Sequence, residues 1–407
     1  MSGKVAFLYA TFPRPTETFV RRELKALGDQ GFNPVVHSIW KGKAQWDGIR
    51  IRRFRLFKLW TLCFWIPLWA FLKPRAFVEI LSVLWSRPCP NLQNWNETFL
   101  GLGFALVEAS TFKREGYSLL HAVWATMPAT AALGISKLTD IPFSMGAHAY
   151  DVFRHGGDWL LSLKFEEASL VRTTSDSSAR RISQMGVDSG RIKLIRRGLG
   201  HWPKRDSFER VSASRLELLS VGRLVEKKGY FQQLELACLL EAEGLPFRLR
   251  IIGSGPLERL LERESQRMGL AGKVFFVGAR NEERTRAAFL ECDVFLFTGV
   301  VAKNGDRDGI PNVIPEALSA GCLVLTSNKA GASEAIEDGV SGYSLDPGNL
   351  GPWVSLLCEF HSSPEKFMPL REAACARARE AFDVRRTARE MRAEFGKLTK
   401  RSWATRW

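Results

Sequence analysis

A chain of 407 residues is too long for one ordinary hydrophobic core, and its 45% apolar residues can fill two. Its seven cysteines are scattered without a C-x-x-C pair, which argues against a disulfide framework and a structural zinc and favours a reducing cytoplasm. The net charge is +15, and residues 1–200 hold 27 basic against 15 acidic side chains. Nucleic acid, anionic lipid or a phosphorylated ligand would each suit this charge, so charge alone selects no partner.

The chain opens with a strand, a helix and a second strand. The run KVAFLYA predicts a buried strand, and it is too short for the core of a signal peptide. The stretch TETFVRRELKALGDQG predicts a helix with Thr16 as its N-cap and Gly31 as its stop, and FNPVVHSIW predicts the next strand. This βαβ order favours a first domain built on a parallel sheet, over residues 1–205.

One segment interrupts the alternation of strands and helices. LWTLCFWIPLWAFL, residues 59–72, is apolar for 14 residues, whereas a bilayer span needs ~20. It is compatible with a buried helix and equally with a helix lying on an anionic membrane surface. The second interpretation assigns membrane contacts to Arg52, Arg53, Arg55, Lys58, Trp60, Trp65, Trp69, Lys73 and Arg75.

Strands and helices alternate again in the second half. After a polar stretch rich in Gly and Pro come five apolar runs, LELLSV, FRLRII, KVFFV, CDVFLF and CLVLTS. Each is followed by a loop or a helical pattern, which predicts a second parallel-sheet domain over residues 206–384.

The stretch DRDGIPNVIPEALSAG begins a helix in the second domain. Pro311 and Pro315 lack N–H donors, which costs least in a first helical turn, so the helix starts near Pro311. Its N-terminal N–H groups would then suit a phosphate. Glu316 in the first turn could accept hydrogen bonds from a ribose diol, and Asp308 could accept them from a second hydroxyl-rich group.

Two basic residues precede this helix in the chain and complete the predicted site. Arg223 and Lys228 follow the strand LELLSV and would neutralise a diphosphate without a metal ion. Gly309 and Ile310 belong to the loop at the helix start and would also contact the donor. The ligand that fits a ribose site, a diphosphate site and a hydroxyl site together is a nucleotide-sugar.

Four motifs, VGRLVEKKG, RIIGSGP, VFFVGA and DGIPNVIPEALSAGCLVLTS, resemble the C-terminal donor domain of family 4 glycosyltransferases. In the first half, FPRPTETFVRREL, the HAVWATMPAT to GAHAYDVFR stretch and LIRRGLG resemble the branch of that family found in exopolysaccharide and lipid-linked glycan assembly. The resemblance implies the α/β GT-B fold, with two Rossmann-like domains facing a cleft and a C-terminal helix, residues 385–407, returning to the first domain. Asp308 departs from the glutamate usual at its position.

The resemblance also implies a function. A hexose would be transferred with retention from a nucleotide-sugar to a hydroxyl of a glycan acceptor, lipid-linked and held at the cytoplasmic face of the membrane. His148 would bind the sugar near the reacting carbon, and His148 and Asp308 are the predicted catalytic residues. Neither a metal cofactor nor a nucleic-acid partner is expected.

Three alternatives remain open from the sequence. Asp306 and Asp308 also spell D-x-D, the metal-binding motif of GT-A transferases. A nucleotide-sugar epimerase would keep the fold and change the chemistry. A basic scaffold that binds an anionic polymer would show binding without turnover.

Overall fold

The computed structural model describes residues 3–14, 17–203, 205, 208–209, 211–212, 214–329 and 331–404. Contacts within the chain divide it into two units, residues 1–196 with 385–407 and residues 197–384. Thr16, the predicted N-cap, lies outside the described residues.

A mixed sheet forms the centre of the first unit. Its strands are β1 (Lys4–Phe12), β2 (Val35–Gly42), β3 (Gln45–Trp46), β4 (Ile49–Arg53), β5 (Tyr117–Ala122), β6 (Phe143–Gly146), β7 (Leu170–Thr173) and β8 (Ile192–Leu194). Their order is β3-β4-β2-β1-β5-β6-β7-β8, and β3 pairs antiparallel to β4 while the other neighbours are parallel.

The helices of this unit before the boundary are α1 (Thr18–Asp29), α2 (Leu62–Leu72), α3 (Pro74–Ser86), α4 (Leu92–Arg114), α5 (Met127–Thr139), α6 (Tyr150–Phe153), α7 (Leu161–Glu167) and α8 (Asp176–Gln184). The predicted strand-helix-strand opening is confirmed by β1, α1 and β2. Helix α1 ends where predicted, since Gly31 takes a left-handed φ of 74° and its N–H bonds to the Gly28 carbonyl at 2.8 Å.

A sheet forms the centre of the second unit as well, and all of its strand pairs are parallel. Its strands are β9 (Leu216–Val221), β10 (Phe247–Ile252), β11 (Val274–Gly278), β12 (Val294–Phe297), β13 (Leu323–Ser327) and β14 (Tyr343–Leu345). Its helices are α9 (Tyr230–Ala242), α10 (Glu258–Arg267), α11 (Glu282–Leu290), α12 (Val313–Ser319), α13 (Gly351–Ser362) and α14 (Met368–Ala381). The order β11-β10-β9-β12-β13-β14 is the doubly wound order of Rossmann-like sheets, so the predicted α/β fold class is confirmed.

The last helix, α15 (Val384–Ala404), packs on the first unit. The ring of Phe395 lies 5.6 Å from that of Phe7 and 5.7 Å from that of Phe32. Residues 197–205, predicted to belong to the first domain, group instead with the second. There the N–H of Leu199 bonds to the Phe382 carbonyl at 2.6 Å, which joins this stretch to the end of α14.

The aromatic segment 59–72 divides between buried and exposed side chains. Trp69, predicted to contact a membrane, is instead a core residue, 7% exposed and packed with Ala109 and Leu138. Its indole N–H donates to the Leu106 carbonyl at 2.9 Å. Trp65 is partly buried and stacks on Trp69 with ring centroids 6.5 Å apart. The interpretation as a buried helix therefore holds for this face of α2.

The opposite faces of α2 and α3 expose a large apolar area. We call the following residues the α2–α3 surface: Phe57, Trp60, Phe64, Ile66, Phe71, Leu72, Val78, Leu81 and Trp85. Among the described helices, none is by itself long and apolar enough to cross a membrane, but residues 56–72 and 74–86, bent by 108°, pass this test as a pair. Exposed apolar area of this extent is typical of an interaction surface.

Candidate active site

The sheet of the second unit places two loops side by side at its topological switch point. Strands β9 and β12 are neighbours, but the chain continues from β9 to β10 in one direction across the sheet and from β12 to β13 in the other. The loop after β9 holds Arg223 to Gly229, and the loop after β12 holds Thr298 to Gly309. Ligands of doubly wound folds bind at this position, because the carboxyl ends of the strands leave a crevice there.

Glycines allow the two loops to meet. Gly229 has a φ of 71°, and a Cβ at this position would lie 1.9 Å from the Thr298 carbonyl oxygen. The Thr298 hydroxyl donates to the Gly229 carbonyl at 2.7 Å, which fixes the contact. Gly253 of the GSGP motif has the same role toward the β9 loop, since a Cβ there would lie 1.8 Å from the Gly222 carbonyl oxygen. These glycines permit close backbone approach.

Two lysines and two aspartates form one cluster between the loops. The ammonium of Lys227 lies 2.9 Å from an oxygen of Asp306 and 3.4 Å from one of Asp308. The ammonium of Lys228 lies 2.7 Å from the other oxygen of Asp308 and 5.0 Å from the centre of the Phe297 ring. The side chains of both lysines and of Asp308 are less than a fifth exposed, so water screens these charges weakly.

Burial and charge act against each other in this cluster. Burial alone would raise the pKa of Asp308, but the ammoniums of Lys228 and Lys227 outweigh it and hold that pKa below its usual value. Burial lowers the pKa of Lys228, and the charges of Lys227 and Arg223 act in the same direction against the opposing effect of Asp308. Because two cations neighbour Asp308, its carboxylate is ionised, and its 2.7 Å contact with the ammonium of Lys228 is an ion pair.

The remaining predicted donor residues border this cluster in the chain. Arg223 is exposed, and within the described residues no carboxylate pairs with it. Helix α12 starts at Val313, close to the predicted start, and Pro315 lies in its first turn. Glu316 is half-buried at the end of that turn, while Gly309 is buried and Ile310 half-buried before the helix.

His148 lies at the carboxyl end of β6 in the first unit. The side chain is 5% exposed, and its ring stands nearly perpendicular to that of Trp124, with centroids 5.4 Å apart. Gly146 makes room for it, since a Cβ there would lie 2.8 Å from the His148 Nε2. The carboxylate of Asp151 accepts the N–H of His148 at 3.0 Å and that of Ala125 at 3.2 Å, which orders the loop.

Sequence reasoning missed three members of these sites. Lys227 was passed over in favour of its neighbour Lys228, and Asp306 was considered only as a metal ligand. Asp151 was not singled out, although a carboxylate three residues after His148 is a recognisable pattern for binding backbone N–H groups. The available signal for Lys227 was the pair of adjacent lysines, both of which the structure places beside Asp308.

A doubly wound sheet in each of two units is the architecture of the GT-B fold. Residues 204–379 match the family model described as "Glycosyl transferases group 1". This match covers less than half of the chain, and together with relatives named as glycosyltransferases it confirms the predicted likeness to family 4 and the predicted enzyme class. The GT-A, epimerase and scaffold alternatives are not supported.

Two relatives have names from polysaccharide biosynthesis. WcaL of Salmonella typhimurium, named as a colanic acid biosynthesis glycosyltransferase, is 27% identical over 395 residues, 93% of this chain and 94% of its own. AmsK of Erwinia amylovora, named as an amylovoran biosynthesis glycosyltransferase, is 30% identical over 202 residues, 50% of this chain and 47% of its own.

Solved structures show the same fold at low identity. HepE of Anabaena in complex with UDP and glucose superposes with a TM-score of 0.69 at 18% identity, over 97% of this chain and 100% of that one. Sucrose-phosphate synthase of Thermosynechococcus elongatus superposes with a TM-score of 0.74 at 15% identity, over 99% and 100% of the two chains.

Proposed function

We propose that this glycosyltransferase moves a hexose from a nucleotide-sugar to a hydroxyl of a glycan during exopolysaccharide biosynthesis, with retention of configuration. The names of WcaL and AmsK support the biosynthetic process, and the ligands named for HepE support a nucleotide-sugar donor. The observation that carries the proposal is the ion-pair cluster of Lys227, Lys228 and Asp308 at the switch point.

The donor diphosphate binds to Arg223 and Lys228, with the loop backbone at Gly309 and Ile310 beside it. Arg223 is exposed and offers a forked donor to a phosphate. Lys228 has its ammonium paired with one carboxylate, so a diphosphate would compete with Asp308 for it. No metal is needed in this scheme, because Lys227 already stands between Asp306 and Asp308 where a D-x-D metal would lie.

The two carboxylates of the DRDGIPNVIPEALSAG stretch, Asp308 and Glu316, bind different parts of the donor. Glu316, one turn into α12, binds the ribose diol, and Asp308, once its lysine turns to phosphate, accepts a hydrogen bond from the hexose. The bond between the anomeric carbon and the leaving phosphate breaks as the acceptor oxygen bonds to that carbon. The acceptor proton passes to the leaving phosphate, so the scheme needs no protein nucleophile.

Binding of nucleoside diphosphates tests the proposal. We expect Arg223→Ala and Lys228→Ala each to lose ~1.5–3 kcal/mol of affinity, because each removes a charge-assisted contact to phosphate. Calorimetry in EDTA with the common nucleoside diphosphates measures this, and Lys366→Ala, an exposed lysine of the same unit, is the matched control. Unchanged affinity in both variants, or binding that requires a divalent cation, would contradict the phosphate site.

His148 binds the hexose in this proposal and not the nucleotide. We expect His148→Ala to lower turnover about tenfold, the value of one hydrogen bond, with nucleoside-diphosphate affinity unchanged. Steady-state kinetics and calorimetry on the same preparation separate the two effects. Full turnover would return His148 to a packing role against Trp124.

The acceptor is carried on a lipid, and the enzyme rests on the inner face of the cytoplasmic membrane through the α2–α3 surface. Of the basic residues predicted to assist, Lys58 is paired with Glu108 at 2.6 Å and Lys73 with Asp140 at 2.9 Å. Arg75 is exposed, and within the described residues no carboxylate pairs with it. Apolar burial is therefore the larger contribution on this surface, and salt does not screen it.

Replacing exposed aromatic residues tests this membrane contact. We expect Phe64→Ser, Phe71→Ser and Trp85→Ser together to lower partition into neutral vesicles by at least ~100-fold, since each buried aromatic contributes ~1.5–3 kcal/mol. These side chains are 58%, 84% and 94% exposed, so the unfolding temperature should not fall. Trp69→Ser is the contrasting variant and should destabilise the fold. Unchanged sedimentation of the triple variant with vesicles would rule the surface out.

A further inference from the structure

A basic cleft of about 1000 Å³ lies at one edge of the sheet in the first unit. It is lined by the carboxyl end of β2, by strand β4 and by the residues that follow β4. The charged side chains in its wall are Lys41, Arg50, Arg52, Arg53, Arg55 and Glu115. Arg52, Arg53 and Arg55 are among the predicted membrane contacts, but no residue of the cleft belongs to the Lys227–Lys228–Asp308 cluster or to the surroundings of His148.

The single carboxylate of the cleft is already neutralised. Glu115 accepts hydrogen bonds from Lys4 at 2.8 Å and from Arg52 at 2.6 Å. Burial by itself would raise the pKa of Glu115, but these two hydrogen bonds bring it to about 2, so the group is ionised at neutral pH. The negative charge of Glu115 is therefore balanced by Lys4 and Arg52.

Three arginines of the cleft keep their charge available. Arg50, Arg53 and Arg55 are exposed, and among the described residues no carboxylate pairs with any of them. Guanidinium groups present paired N–H donors that match the oxygens of a phosphate. Three of them around one cleft, with Lys41 beside them, favour an anion with one or more phosphate groups.

The chain connects the cleft directly to the α2–α3 surface. Arg55 is followed at once by the turn Leu56–Thr61, which carries the exposed Phe57 and Trp60, and then by α2. The residues that would bind a phosphate in the cleft are thus followed directly in the chain by exposed apolar side chains that suit a hydrocarbon environment. We propose that the cleft binds the phosphate group of an anionic membrane lipid whose acyl chains meet the α2–α3 surface. Only the further step, that such a lipid carries the acceptor, rests on the proposed function.

Vesicle binding by the full chain tests this site without any transferase assay. The variant Arg50→Gln/Arg53→Gln/Arg55→Gln is compared with Arg263→Gln/Arg284→Gln/Arg389→Gln, three exposed arginines elsewhere with the same change in net charge. Each basic residue at an anionic surface contributes about fivefold, so we expect the first triple to lower partition into vesicles containing phosphatidic acid ~100-fold. The control triple should lower it less than about fivefold. Partition into pure phosphatidylcholine vesicles should be equal for all three proteins.

Two results would overturn the proposal. Equal losses in the two triples would mean that net charge, and not the cleft, attracts the membrane. A soluble anion is the ligand if inorganic pyrophosphate binds the Lys228→Ala protein but not Lys228→Ala combined with the first triple, while vesicle binding of the first triple stays at the parent level. Retained thermal unfolding temperatures in both triples show that each variant is folded.

Discussion

We expect Asp308→Asn to lower turnover of the nucleotide-sugar by about 10²–10³, while the bare nucleoside diphosphate binds as tightly as before or more tightly. The loss follows because a preorganised charge at a reacting centre is worth that much. The diphosphate affinity does not fall because the substitution removes a negative charge. In the parent protein, Asp308 pairs with Lys228 at 2.7 Å and so competes with phosphate for it. Steady-state kinetics and calorimetry measure the two quantities.

Two further variants decide whether Asp308 acts by its charge and position. Asp308→Glu keeps the charge and adds one methylene, so activity near the parent value would show that the shorter side chain is not essential. Glu316→Gln should weaken the nucleotide-sugar and the nucleoside diphosphate alike, because the ribose belongs to both. Equal losses for both ligands in the Asp308→Asn and Glu316→Gln variants would refute the division of roles.

The second large effect is on stability. We expect Lys227→Met to lower the free energy of unfolding by ~3–5 kcal/mol at pH 7, because it leaves the largely buried Asp306 without a paired cation among the described residues and Asp308 with Lys228 alone. Urea denaturation followed by tryptophan fluorescence measures the change. Lys303→Met, an exposed lysine of the loop after β12, should change stability by less than ~0.5 kcal/mol.

The pH dependence of this effect has a definite sign. The pKa of Asp308 is lowered in the folded protein, so its stabilisation is present above the unfolded value of ~3.9 and is lost as pH falls through the folded pKa. Without Lys227 the Asp308 carboxyl keeps only the ammonium of Lys228 and takes up a proton at higher pH, so the deficit of the variant should shrink between pH 7 and pH 4. Adding Asp306→Asn should restore part of the stability. A deficit that is constant with pH would show that packing, not charge, is lost.

Local patterns of residues were enough to predict the strands, the helices and two loops that the structure brings together. Periodicity and turn residues are local, so β1, α1 and β2 and the start of α12 could be predicted within a few residues. Arg223 and Lys228 after β9 and the motif from Asp308 to Glu316 marked these two loops for the same reason. The pairing of those loops also followed, because the carboxyl ends of adjacent parallel strands meet at one edge.

Tertiary packing selects which of several chemically similar side chains face the core. Residues 59–72 are apolar at every position except Thr61, so hydropathy has no period that could separate Trp60, 74% exposed, from Trp69, 7% exposed. Packing of α2 against α4 makes that choice, as the bond from Trp69 to the Leu106 carbonyl shows. Lys227 donates a hydrogen bond to Asp306, although the two residues are separated by 79 positions in the chain. Long-range contacts of this kind depend on how the sheet brings its loops together, and the local pattern of residues carries no record of them.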